Sequence, residues 1–226
     1  TLHIDELIQK HSTIMDKYDP DKRVGLIIDE WGSWYDVEPG TNPGFLFQQN
    51  TLRDALIAGI NLNIFNSHCD RVQMANIAQT INVLQAIIHT EDEKMLLTPT
   101  YHIFDMYKVH QDAELLDVQV KNTVYKYGKD EIPQLSISSS VDQDDKIHIS
   151  MCNLDPNEKL EVICELRGTN KTEVSGTILT ATEINAMNTF DNPNKVAPKS
   201  FDSAKIIDNK LTVSLPAKSV VVLEVF

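Results

Sequence analysis

Residues 24–35 read VGLIIDEWGSWY, and the rest of the chain is organised around this stretch. Val24, Leu26, Ile27 and Ile28 form a short apolar run of the kind that suits a parallel strand buried on both faces. The run stops at Asp29 and Glu30, and Trp31, Trp34 and Tyr35 follow at once. Two carboxylates at the carboxyl end of a buried strand are costly to desolvate, and in a β/α barrel that end carries the active site. A carboxylate among aromatic rings suits a sugar, whose ring offers apolar C–H faces and polar edges. Glu30 is therefore read as a glycosidase carboxylate. Retaining glycosidases need two carboxyl groups about 5–5.5 Å apart. Adjacent strand residues face opposite sides, so Asp29 and Glu30 do not both face one sugar, and the partner must come from elsewhere. A structural ion pair is the plain alternative for a strand-end glutamate; the aromatic neighbours favour the catalytic reading.

A chain of 226 residues with 42% hydrophobic residues is large enough for one big or two modest domains with packed cores. Its formal net charge of −13 argues against nucleic acid as a partner, because phosphates require basic surface. No run of 18 apolar residues occurs, so no transmembrane helix is expected. The opening TLHIDELIQKH is no signal peptide, and no initiator methionine is present. The chain is expected to be a piece of a longer one, soluble, with cytoplasmic, periplasmic and secreted locations all open. Cys69, Cys152 and Cys164 are too few and too widely spaced for a disulfide framework. Cys152 and Cys164 fall in neighbouring predicted strands within reach of each other, although two small core residues are the simpler reading. No CxxC or HExxH spacing appears, so no metal is expected.

Residues 3–18 show Ile4, Leu7, Ile8, His11, Ile14, Met15 and Tyr18 at helical spacing, and Asp19 with Pro20 ends that helix. After the strand, residues 36–49 form a long loop in which Phe45 and Phe47 either wall a site or pack beneath it. Asn50 or Thr51 caps a helix over 52–65 with Leu52, Ala55, Leu56, Gly59 and Ile60 as its buried stripe. Residues 71–88 are too uniformly apolar for periodicity to separate helix from strand; a strand over about 74–79 and then a loop or helical segment are expected. Thr98 and Pro99 open a further helix that runs to about His110. Helix, strand, helix, strand, helix is the order of a parallel sheet with crossover helices. Two strands cannot close a barrel of eight, so residues 1–112 are read as the C-terminal part of one.

Past residue 112 the pattern changes to strands about every ten residues with turn signals between them. Ile147, Ile149 and Met151 alternate with polar neighbours, as do Leu160, Val162, Cys164 and Leu166, and Leu211, Val213 and Leu215. Val220, Val222 and Val225 end the chain more apolarly. Residues 113–226 are read as an antiparallel β-sandwich with a long loop over 188–198.

The string DEWGSWYDVEPGTNPGFLFQQNTLRDALIAG resembles the nucleophile region of family 51 glycoside hydrolases, the α-L-arabinofuranosidases. FNSHCDRVQMANIAQTINVLQAII, TPTYHIFDMYKVHQDA, NTFDNPNKVAPKSF and LPAKSVVVLEVF extend the resemblance to nearly the whole chain. It implies a (β/α)8 TIM barrel followed by a β-sandwich, retention of anomeric configuration, an arabinose-containing saccharide as substrate, and no metal or organic cofactor. Carried over by position, it makes Glu30 the catalytic nucleophile on the seventh barrel strand. Trp34 becomes an aromatic residue lining the arabinose subsite and Gln79 a glutamine that hydrogen-bonds the sugar. Many members have asparagine where this chain has Gly32.

The family's acid/base glutamate follows an asparagine at the end of the fourth strand. Asn157 and Glu158 form the one Asn-Glu pair here, and they lie in a sandwich turn that does not match. The resemblance thus makes the chain the C-terminal portion of an enzyme, inactive alone, that self-associates or joins the missing barrel half. A carbohydrate-binding sandwich without catalysis, or another barrel glycosidase with its nucleophile on strand seven, are the rival readings. His68, Cys69 and Asp70 are adjacent at a helix end and read as polar termini rather than a nucleophilic pair.

Overall fold

A computed structural model describes residues 1–121 and 123–226. Helix α1 (His3–Asp16) leads to strand β1 (Leu26–Trp31), helix α2 (Leu52–Ser67) and strand β2 (Val72–Ile77). β1 and β2 pair in parallel, with α2 as the crossover. Arg71, 1% exposed, ties α1 to this unit: its guanidinium donates to Asp19 Oδ2 and to the Val24 carbonyl, each at 2.8 Å, and pairs with Asp16. An antiparallel hairpin, β3 (Ile88–Glu91) and β4 (Lys94–Leu97), precedes helix α3 (Pro99–Tyr107). α3 starts as expected, with Pro99 in its first turn and the Thr98 hydroxyl accepting from the Tyr101 N–H.

The remaining strands are β5 (Glu114–Leu115), β6 (Val124–Tyr127), β7 (Asp130–Pro133), β8 (Leu135–Val141), β9 (Ile147–Asn153), β10 (Leu160–Glu165), β11 (Val174–Leu179), β12 (Lys199–Ser200), β13 (Ala204–Ile207), β14 (Lys210–Leu215) and β15 (Ser219–Val225). They form a six-stranded sheet in the order β12-β11-β15-β9-β8-β5 and a three-stranded sheet β10-β14-β13; β6 and β7 make a separate hairpin. Every pairing in the two larger sheets is antiparallel.

The two-residue period of a strand explains why the last strand is apolar almost throughout. Val221, Leu223 and Val225 face the three-stranded sheet and pack with Leu211, Val213, Leu215, Ile149 and Met151. Val220 and Val222 face the other way and pack with Cys152, Leu179 and the residues of α2 and α3. The six-stranded sheet is thus covered on both faces, by the small sheet on one and by helices on the other. Each fully buried Val or Leu side chain stabilises by about 1.5–3 kcal/mol.

α2 is held at its start and its middle by the sandwich. The N–H groups of Leu52 and Arg53, which have no partner inside a helix, donate to the carbonyls of Ala186 and Ile184 at 2.9 Å each. At Gly59 the helix backbone comes so close to the sheet that an added Cβ would lie 2.8 Å from Cys152 Sγ.

Several expectations need correction. β1 is covered on one face only: Val24 and Ile27 are more than half exposed, because nothing among the described residues lies over that side. β2 begins and ends two residues earlier than the expected 74–79, since Val72 and Ile77 belong to the core that faces the helices. The apolar stretch after it is irregular backbone and the β3–β4 hairpin, with Asp92 in the left-handed region at the tip (φ 51°). Cys152 and Cys164 do not meet, because consecutive strands β9 and β10 belong to different sheets; both thiols are free.

Candidate active site

The carboxyl end of β1 is irregular. Ile28 pairs with Ala75 and Trp31 with Ile77, so three steps on β1 match two on β2. This bulge lets Ile28 and Trp31 both pack on the helix side while Asp29 and Glu30, between them, are both exposed. Bulges re-aim side chains and are common beside active sites. The Glu30 side chain makes no hydrogen bond or ion pair among the described residues.

Trp31 does not flank the carboxylate. It is 7% exposed, stacked on Phe104 with ring centroids 6.0 Å apart and edge-on to Phe65 at 5.4 Å. Trp34 is 68% exposed. Tyr35 is half-buried with the Arg53 guanidinium 3.8 Å above its ring, and burial raises its hydroxyl pKa. Gln79 is exposed just beyond β2, after a cis peptide bond between Ala78 and Gln79. The Ala78 N–H donates to the Trp31 carbonyl at 2.8 Å, so the loops carrying Trp34 and Gln79 leave the two strands side by side. Gly32 sits where they touch, with φ 152° and its missing Cβ only 3.1 Å from the Ala78 carbonyl oxygen.

Beneath the Trp34 loop lies a buried polar network. Gln48 Oε1 accepts from the Tyr35 N–H at 2.9 Å, and its amide nitrogen donates to the Ser33 carbonyl at 3.1 Å. Asp54 Oδ1 accepts from the Ser33 hydroxyl at 2.9 Å, while Oδ2 accepts from the Thr51 N–H at 2.8 Å and from its hydroxyl at 3.0 Å. Asp54 thus caps α2 and holds the loop at once. Gln85 Oε1 accepts from the Ser33 N–H at 2.9 Å, and its amide nitrogen donates to the Asp54 carbonyl at 2.8 Å. Thr100 and Asn50 continue the chain of bonds to the Ala86 carbonyl. Gln48, Asp54 and Gln85 were not singled out from sequence. The Thr51-to-Asp54 spacing of a capping box was legible, and Gln85 is a lone amide in an apolar run; their convergence on residue 33 was not.

Of Phe45 and Phe47, only Phe47 packs against a neighbouring ring among the described residues. Phe45 is largely exposed, whereas Phe47 packs edge-on against His89 with centroids 5.4 Å apart. His68, Cys69 and Asp70 form no catalytic set: His68 Nε2 lies 2.6 Å from Asp5 Oδ1, Asp70 pairs with Lys22, and burial raises the Cys69 thiol pKa. Asn157 and Glu158 sit in the β9–β10 turn, their N–H groups donating to Asp155. Among the described residues no cluster of three His, Cys, Asp or Glu side chains is placed to hold a metal, and no helix is long and apolar enough to cross a membrane.

Residues 29–219 match the family model described as the alpha-L-arabinofuranosidase C-terminal domain. An intracellular exo-alpha-L-arabinofuranosidase of Bacteroides ovatus is 46% identical over 99% of this chain, and the match spans 44% of that protein. An intracellular exo-alpha-(1->5)-L-arabinofuranosidase of Streptomyces lividans is 27% identical over 86% of the chain and 31% of its own length. Among solved structures, the GH51 arabinofuranosidase of Xanthomonas axonopodis pv. citri superposes with TM-score 0.97 at 48% identity, over 99% of this chain and 45% of that one. The arabinose complex of the Thermotoga maritima alpha-L-arabinofuranosidase gives TM-score 0.79 at 26% identity, over 99% and 46%. The chain therefore spans less than half the length of these relatives. Strands, helices and the model match agree: this chain belongs to the alpha-L-arabinofuranosidase C-terminal domain family.

Proposed function

We propose that the chain is the C-terminal part of a retaining α-L-arabinofuranosidase that releases terminal α-L-arabinofuranosyl units from arabinose-containing saccharides. In this reading residues 1–112 are the last part of a (β/α)8 barrel and residues 113–226 its C-terminal sandwich. Glu30 is the nucleophile, and Trp34 and Gln79 line the arabinose subsite. The observation that carries the assignment is the bulge at the carboxyl end of a parallel strand, which leaves Glu30 exposed and its side chain without a partner among the described residues, on the strand end that leads into the Trp34 loop.

Ionised Glu30 attacks the anomeric carbon and the glycosidic bond breaks, giving a glycosyl ester. The leaving oxygen takes a proton from a carboxylic acid supplied by the part of the enzyme upstream. The resulting carboxylate then deprotonates water, which attacks the same carbon and frees both arabinose and Glu30. An indole face at Trp34 suits the C–H face of the sugar and the Gln79 amide its hydroxyl edge. The same upstream part, or a second copy of the chain, covers the bare side of β1. The relatives named intracellular support a place inside the cell.

The test is hydrolysis of 4-nitrophenyl α-L-arabinofuranoside. The full-length enzyme is expected to turn it over, Glu30→Gln to lose at least a thousandfold in kcat, and the isolated 226-residue chain to do nothing. Retained activity in Glu30→Gln would remove the nucleophile from that residue.

A further inference from the structure

One residue links the two strand-end loops, by its backbone to one and by its side chain to the other. Gln85 is fully buried, and its backbone N–H donates to the Ala78 carbonyl at 3.2 Å, beside Gln79. Its side-chain oxygen accepts from the Ser33 N–H at 2.9 Å, beside Trp34. The amide orientation is fixed from both ends: a backbone N–H only donates, so it faces Oε1, and the Asp54 carbonyl only accepts, so it faces Nε2. The Thr100 hydroxyl, 3.3 Å from Nε2, adds a further contact. No other described side chain reaches the Ser33 N–H, and the acceptor that meets it is fully buried. A buried amide bonded at both ends is the kind of support that fixes a site to within a fraction of an ångström.

We propose that Gln85 is a positioning residue that sets the Trp34 loop against the Gln79 loop, and through it the aromatic face of the sugar subsite. This rests on the assignment of Trp34 and Gln79 to that subsite. Gln85 touches no substrate; it acts through Ser33 and its neighbour. The unbranched Gln85→Met substitution keeps the volume and the backbone bond to Ala78, and deletes the side-chain bonds to Ser33, Asp54 and Thr100.

The experiment is a double-mutant cycle in the full-length enzyme with 4-nitrophenyl α-L-arabinofuranoside. Gln85→Met is expected to lower kcat/KM at least tenfold in the wild-type background and less than threefold in the Trp34→Ala background. Any other pattern overturns the proposal, because a residue that merely supports the fold costs the same factor in both. Hydrogen–deuterium exchange reads the brace without turnover: Gln85→Met is expected to speed exchange at residues 32–35, and unchanged exchange there overturns it as well. Where Gln85→Met does not fold, Gln85→Asn, which withdraws the amide by one methylene, is held to the same thresholds. Glu30→Gln separates the two failures. If it keeps wild-type rates, the enzymatic assignment has failed; if it is inactive while Gln85→Met is unaffected, only the positioning role has.

Discussion

Trp31 is sandwiched by Phe104 and Phe65 at 7% exposure, whereas Trp34, three residues on, is 68% exposed. Replacing each by alanine should separate stability from activity. Trp31→Ala opens a cavity in the core and is expected to cost about 3–5 kcal/mol in denaturant unfolding. Trp34→Ala is expected to change stability by no more than about 0.5 kcal/mol while lowering kcat/KM of the full-length enzyme. A large loss of stability in Trp34→Ala would mean that its ring is structural. At this scale the sequence was partly readable. A glutamate at the end of an apolar run, next to indoles, stands out in any window of twelve residues. Nearness in sequence groups Trp31 with the site, although alternation alone turns it away from Glu30. What alternation gets wrong is Asp29 and Glu30, expected on opposite faces and both exposed, because a bulge is set by the pairing of two strands and not by either one. Gln85 was out of reach for a related reason: its bond to Ser33 joins residues 52 apart in sequence.

Elements with local signals were legible, and those defined by their neighbours were not. The caps at Thr51 and Thr98 mark α2 and α3 correctly, because the signal lies within three residues. β8 alternates only in part: Leu135, Ile137 and Val141 are interleaved with serines, Ser139 breaks the apolar side, and the polar side is not turned to water. Ser136, Ser138 and Ser140 face α2 and the turn after α3: Ser138 donates to Asn63 Oδ1 at 2.9 Å, and Ser140 Oγ lies 2.7 Å from His110 Nδ1. Two predictions belong here. Gly59→Ala gains up to about 1 kcal/mol of helix propensity but forces Cβ against buried Cys152 and Tyr107, and overpacking of that kind costs about 1–3 kcal/mol. A net loss of stability is expected, recovered in Gly59→Ala/Cys152→Ala; a stabilised single variant would contradict the close approach. The second concerns His110, held between Ser140 and Ser150 and facing the His148 ring at 6.3 Å, with Asp142 on the far side of His148. Burial, followed by the charge of His148, lowers its pKa from 6.5 to about 4. Between those values the unfolded chain holds a proton that the folded one does not, so stability rises with pH through that window and is complete above 6.5. The gap corresponds to on the order of 3 kcal/mol. Burial lowers His89 and His102 in the same direction, whereas Asp142, held low by His148, acts only at more acid pH. Denaturant unfolding at pH 7 and 4.5 is expected to show the loss, and His110→Asn to flatten it. An equal slope in both proteins would place the titration elsewhere.

At the scale of the molecule, the side of β1 and β2 away from the helices is the unfinished part. Val24, Ile27 and Met74 are each at least half exposed there, at 60%, 53% and 52%, and on α1 Ile14 and Tyr18 are exposed at 55% and 86%. A two-stranded parallel sheet is rarely stable with one face in water, because parallel sheets are normally covered on both sides. Its outer edges also offer unpaired backbone groups to any strand that approaches. In the proposed enzyme the rest of the barrel takes that place. The isolated chain is therefore expected to sediment as a concentration-dependent mixture of monomer and larger species. Ile27→Lys and Met74→Lys, which put charge on the bare face without touching the core, should shift it toward monomer. The same substitutions in the full-length enzyme should be strongly destabilising, since that face is then interior and an unpaired buried charge is costly. An isolated chain that stays monomeric at all concentrations, together with a full-length enzyme indifferent to Ile27→Lys, would mean that this face is solvent in both, and that β1 and β2 do not belong to a closed barrel.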